Sequence, residues 1–159
     1  MSPRRRASAP APRLHLTRRG RAAIYGVLGL TWGSGILWLV FHYLLARQGE
    51  FGGEPHPLEH WSLALHGAGA FATLLLGGWL WKAHVAPWWD SPNRRASGIV
   101  LVALGAALIV SGYLLYYASS DALRDFVGKL HWIIGLLLAL PLLVHALRSG
   151  LYRGKKSRP

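Results

Sequence analysis

The chain has 159 residues, of which 52% are hydrophobic and only 15% charged, and it contains no cysteine. A soluble domain carries about 25% charged residues, so this balance favours lipid as the solvent, and the length suits one domain. The missing cysteines exclude disulfides, covalent c-type haem attachment, iron–sulfur clusters and thiolate-bound zinc. The net charge of +12 falls in blocks between apolar stretches, a pattern of membrane topology rather than of nucleic-acid binding.

Residues 1–20 are rich in Arg, Pro and Ala and read as a disordered basic tail. Residues 21–150 read as one membrane domain with four apolar spans, each near the ~20 residues that cross a bilayer core. The first span covers roughly residues 22–45. It follows an Arg-rich segment like a signal peptide, but it is long and lacks a small-residue cleavage site, so it is expected to stay uncleaved. His42 lies near its far end, as an interfacial or supporting group, as a proton carrier at a quinol site, or as an alternative ligand in place of His84. The following loop, 46–60, has Gly-Gly and Pro-His-Pro content and is expected to be irregular, lying over the bundle mouth; His56 and His60 within it are not expected to ligate. The second span, 61–85, contains His66 and His84. The next loop breaks the helix with two prolines, sets Trp88 and Trp89 at an interface, and ends in Arg94 and Arg95. The third span, 97–117, has no histidine. The fourth, 128–147, contains His131, Pro141 and His145, and 151–159 form a second basic tail.

None of these spans contains Asp or Glu. Lys82, Lys129 and Arg148 sit at span margins, where long side chains snorkel to the interface. The two tails and the second loop hold 15 of the 18 Lys and Arg, whereas the first and third loops hold Arg47, Arg124 and Lys129 with five of the six acids. The positive-inside rule then places both termini in the cytoplasm. The expected fold class is all-α, an integral membrane four-helix bundle running up-down-up-down.

Ionisable side chains inside a bilayer are costly and default to a functional role. In this topology the second and fourth spans run the same way, so His66 and His131 share the outer level and His84 and His145 the inner one. Two such pairs suit two non-covalent haem b groups, each with one imidazole on either axial position. The separation from His131 to His145 is 14 residues, roughly 21 Å of helix, while that from His66 to His84 is 18 residues, roughly 27 Å. Helix tilt or a kink at Pro141 absorbs the mismatch, or His84 lies at the membrane edge and does not ligate. Small residues supply flat space for a macrocycle, with Gly77, Gly112 and Gly135 as candidates; the alternative for each is close helix packing. Arg94 and Arg95 on the inner side, and Arg124 or Lys129 on the outer, are candidate partners for the haem carboxylates, or simply topology charges. Trp61, Trp132 and Tyr113 either line the pockets or anchor the interfaces.

The segment Leu-His131-Trp-Ile-Ile-Gly-Leu ending in Leu-Val-His145 resembles the last helix of small bacterial four-helix b-type cytochromes. The second-span Leu-His66-Gly-Ala-Gly-Ala-Phe, the later His84-Val, the third-span Ser-Gly112-Tyr-Leu-Leu-Tyr-Tyr and the Phe-His42-Tyr before the first loop match as well. The likeness covers roughly residues 23–150 and points to a cytochrome b561-like family. It implies a di-haem protein of the bacterial inner membrane with His66, His84, His131 and His145 as axial ligands. Such a protein passes electrons between a periplasmic redox protein and the quinone pool or another carrier.

Bis-histidine ligation leaves no open iron position, which favours electron transfer over stand-alone enzyme chemistry. The alternatives are a quinone-coupled oxidoreductase, including a superoxide-to-quinone oxidase, a membrane anchor subunit of a dehydrogenase, and a non-haem metal-binding bundle. The lack of intramembrane carboxylates weighs against the last.

Overall fold

The computed structural model describes residues 17–49, 52–86 and 95–156, with backbone alone at 48, 52, 53, 95 and 148–156. Four helices carry it: α1 (Arg18–Leu39), α2 (Glu59–Leu80), α3 (Arg95–Tyr117) and α4 (Asp121–Lys156). Both α1 and α2 run on without a break into a π-helical turn, Val40–Leu44 and Trp81–Val85 respectively. All four helices are long and apolar enough to cross a membrane.

The helices begin where short polar side chains take up free N–H groups. Thr17 Oγ1 accepts from Gly20 N at 3.1 Å to open α1. Ser120 opens α4 in the same way, its hydroxyl accepting from Leu123 N at 3.3 Å. Three residues, 118–120, join α3 to α4, and Arg124 Nη2 closes this turn on the Ala118 carbonyl at 2.9 Å. The fourth helix therefore starts seven residues before the apolar stretch that announces it. Its polar first turns are held by Ser120 and by Arg124–Asp121 and Lys129–Asp125 pairs at helical spacing. It also continues through Pro141 to Lys156, so residues 151–156 of the basic tail are helical.

The first loop corrects one expectation. It is not wholly irregular: β1 (Arg47–Gly49) and β2 (Gly52–Glu54) form a short antiparallel ladder in which Arg47 faces Glu54. Residues 50 and 51, between the strands, lie outside the described residues, as do 1–16 and 87–94.

Packing is by hairpins. Helix α1 lies along α2 and α3 along α4, and far fewer residues approach between the two hairpins, chiefly α1 against α4. Contacts at His42–Glu59, Gly35–His66 and Thr31–Thr73 run in opposite senses along α1 and α2, so these helices are antiparallel. Leu115–Gly128, Ser111–His131 and Ser97–His145 show the same for α3 and α4. Gly69 permits the closest approach of the first hairpin, since a Cβ there would strike Thr31.

The interior is built from few and mostly small residues. Three serines, Ser34, Ser62 and Ser111, share it with Ile24, Ala118 and Val127, whereas larger apolar side chains such as Leu75, Phe71, Leu140 and Ile109 point outward. A water-soluble bundle buries its large apolar residues. Here those residues face outward, the arrangement that hydrocarbon solvent favours.

Candidate metal centres

The gap between the hairpins holds two facing imidazole pairs. His66 of α2 and His131 of α4 lie at the end that carries the β-ladder and the α3–α4 turn, with ring centroids 6.2 Å apart and planes at 88°. His84, in the π-turn that ends α2, and His145 of α4 lie at the opposite end, which carries the two termini; their centroids are 6.1 Å apart and their planes at 86°. All four predicted histidines are thus brought together in the predicted pairs. His84 meets His145 despite the longer spacing along α2. The π-turn that contains it gains less height per residue than an α-turn, and so works in the direction needed.

The surroundings of the first pair fix the protonation of its rings. His66 Nδ1 lies 2.8 Å from the Thr31 carbonyl, which can only accept, so Nδ1 carries the proton and Nε2 presents a lone pair. His131 Nδ1 lies 2.9 Å from Ser111 Oγ. The Ser111 hydroxyl donates to the Ala107 carbonyl at 2.7 Å, so its oxygen accepts from His131 Nδ1–H, and again Nε2 is left free. A glycine lies under each ring edge. A Cβ at Gly35 would sit 3.1 Å from His66 Cε1 and Nδ1, and one at Gly112 would sit 3.4 Å from His131 Cε1.

The second pair is held on one side only. His145 Nδ1 lies 3.1 Å from Ser97 Oγ. Among the described residues His84 has no hydrogen-bond partner and is exposed. The cause is length. Helix α1 runs antiparallel to α2 and reaches His66 from Thr31 and Gly35, so the position level with His84 lies some 18 residues earlier, at or before the Thr17 cap.

Two rings of this kind can clasp one metal. An imidazole nitrogen bonds a first-row metal at about 2.0–2.1 Å and lies about 1.1 Å from its ring centroid, so trans rings hold their centroids about 6.3 Å apart. Separations of 6.2 and 6.1 Å fit that arrangement. Among the described residues no cluster of three His, Cys, Asp or Glu side chains exists, so each centre offers two nitrogens and no third protein ligand.

The other predicted residues divide. Gly112 serves His131 by close approach, whereas Gly77 faces open space on the side of α2 that carries both histidines, 11 residues or about three turns after His66. Gly135 lies against Leu108, and its carbonyl accepts from Trp32 Nε1 at 3.2 Å across the α1–α4 seam. Arg94 and the side chain of Arg95 lie outside the described residues. Trp61 and Tyr113 are exposed, the latter beside Tyr117, while the Trp132 indole nitrogen is buried. His42 joins neither pair: its Nδ1 lies 2.7 Å from Glu59 Oε1 and its ring stacks on Trp38. His56 stacks on Phe41. Next to these groups is a cleft of about 420 Å³ lined by Trp38, Pro55, His56, Pro57, Glu59, His60 and Leu63.

Sequence reasoning missed Ser97 and Ser111, although a signal was present. Ser97-Gly98 and Ser111-Gly112 repeat at 14 residues on α3, the interval that separates His131 from His145 on the antiparallel α4. No protein-family model matches the chain, and neither a curated protein nor a solved structure is similar to it.

Proposed function

We propose that this chain is a membrane electron carrier that holds two non-covalent haem b groups, one between His66 and His131 and one between His84 and His145. The observation that carries this reading is the two facing imidazole pairs at 6.2 and 6.1 Å, each with two nitrogens and no third protein ligand among the described residues. A bare zinc ion wants four ligands and a hard cation six or more, so two imidazoles would leave either incomplete. Haem would ask the protein for two donors only, which His66 with His131 and His84 with His145 would supply. Haem, when bound, supplies the one-electron step.

The chain's own residues prepare for that group. The Thr31 carbonyl and Ser111 hydroxyl hold the Nδ1–H of His66 and His131, which leaves each Nε2 lone pair free to bind. The exposed apolar helix faces supply a bilayer-facing surface. The 15-to-3 division of Lys and Arg supports an inner-membrane orientation with both termini in the cytoplasm. In that orientation the His66/His131 centre serves a periplasmic redox protein or dehydrogenase subunit, and the His84/His145 centre lies towards the cytoplasm.

A quinone-coupled oxidoreductase is the second reading, favoured by the His42–Glu59 pair beside the cleft. A quinol sheds protons as it loses electrons, and the His42 imidazole, 2.7 Å from the Glu59 carboxylate, lies beside the cleft as a group that could take one. A dithionite-reduced minus air-oxidised visible spectrum of the detergent-purified protein tests the haem reading. The expected result is the sharp band set of low-spin b-type haem. A protein that stays colourless after haem-replete expression sinks it.

A further inference from the structure

The four paired histidines are not held alike. His66 has its Nδ1 on the Thr31 carbonyl, and His131 has its Nδ1 on Ser111. His145 bonds to Ser97 Oγ at 3.1 Å, and all three residues are half-buried. Of the four, His84 alone is exposed. It stands in the π-helical turn Trp81–Val85, and no hydrogen bond among the described residues holds its ring. Such turns are rare and recur at functional sites. Lys82 shares this turn, and an ammonium group seeks water, which sets the turn at the membrane margin.

An axial imidazole that leaves a metal has two fates. A ring tied through Nδ1 to a neighbouring helix keeps its aim and rebinds at once. A ring without such a tie, at a margin that water reaches, turns about its side-chain bonds and bonds to water through Nε2. The second fate leaves one coordination position open while the ring stays away. In the first centre both ligands are of the tied kind, whereas in the second only His145 is.

We infer that the His84/His145 centre binds an external ligand: His84 yields its axial position to a small neutral diatomic such as carbon monoxide, while His145 stays bound. This rests on the haem reading. The exchange breaks the bond from His84 Nε2 to reduced iron and forms one from the carbon of carbon monoxide. The imidazole leaves with its lone pair, and no electron changes hands. The His66/His131 centre keeps both of its imidazoles. Because carbon monoxide binds only reduced iron, its capture favours the reduced state of the second centre alone.

The test is a carbon monoxide titration of the dithionite-reduced, haem-loaded full chain in detergent, read by visible difference spectra. The expected result is an adduct at about half of the haem, with the other half keeping its low-spin spectrum. His145→Ala, which keeps only the first pair intact, assigns the site: its remaining haem forms no adduct. A wild-type protein with two haems that takes up no carbon monoxide, or takes it up at both, overturns the inference, as does an adduct on the haem of His145→Ala. Where that variant fails to accumulate, diethylpyrocarbonate labelling of the wild-type holoprotein decides, since the reagent attacks free imidazole nitrogen. Carbon monoxide that raises the labelling of His84 but not of His66 supports the exchange, and unchanged labelling of His84 overturns it. A wild-type protein without haem instead removes the reading on which the inference rests.

Discussion

The two histidine pairs have almost the same ring separation but unequal support. At the end with the β-ladder, both Nδ1 atoms are held, by the Thr31 carbonyl and by Ser111, and a glycine lies under each ring. At the end with the termini, Ser97 holds His145 and nothing among the described residues holds His84, which sits in a π-turn level with the very start of α1. The difference shows how the reach of a neighbouring helix sets the order of a site. A ligand is pre-oriented only where a second helix runs far enough to supply an acceptor. The first centre is therefore the rigid one, and the second takes its final geometry from the group it binds.

The largest effect expected is on haem content. His131→Ala and His145→Ala each lower it from two haems per chain to one, because each removes one axial donor from a different pair. Equal losses of both haems from either variant would mean that the pairs do not act separately.

Next come the glycines. Gly35→Val forces a branched side chain into space where even a Cβ lies 3.1 Å from the His66 ring, so the first centre loses its haem while the second keeps it. Gly77→Ala is the contrast: a Cβ there meets nothing within 4 Å, and haem content stays at the wild-type value. Pyridine haemochrome assays of both variants check this, and a loss at Gly77→Ala equal to that at Gly35→Val would contradict the assignment.

The serine variants compare the two ends directly. Ser111→Ala leaves His131 Nδ1–H without its acceptor and its ring unheld, so haem retention at the first centre should weaken about 10–100-fold and its reduction potential should rise. Ser97→Ala acts the same way on the second centre but less strongly, since its 3.1 Å contact is longer than the 2.9 Å contact of Ser111. Redox titration and haem-transfer rates to an acceptor protein measure both. A larger effect at Ser97 would reverse the order of rigidity argued here.

The smallest expected effect sharpens the geometry. The ring planes stand at 88° and 86°; were an iron held between such rings, the two orbitals that receive density from the imidazoles would be nearly equal in energy. The oxidised protein should then give a strongly anisotropic low-spin EPR signal at both centres, whereas parallel rings would give a rhombic one. Because no hydrogen bond among the described residues anchors His84, its centre is the one expected to show the broader spread of signals.

Much of this was legible in the sequence because membrane solvation restricts what a chain can do. The four spans follow from runs of apolar residues, and their polar margins follow from the cost of charge in hydrocarbon. The pairing of His66 with His131 and His84 with His145 follows from counting spans. The rest depends on how helices abut. The role of Gly112 needed the α3–α4 contact, since glycine alone does not say whether it faces a ring, a leucine or open space. Ser97 and Ser111 looked like ordinary small residues until the antiparallel register matched their interval to that of the histidines. The exposed position of His84 agrees with the sequence alternative that it lies at the membrane edge, but the apolar pattern does not reveal that α1 starts level with it. The ladder at Arg47–Gly49 and Gly52–Glu54 escaped because three-residue strands are too short to show alternation.

The central claim is that each facing pair clasps its own haem, and a pyridine haemochrome assay on purified, haem-replete wild-type protein tests it most directly. The account predicts close to two haem b per chain. A value near zero, from protein that is folded and helical in detergent, would contradict it.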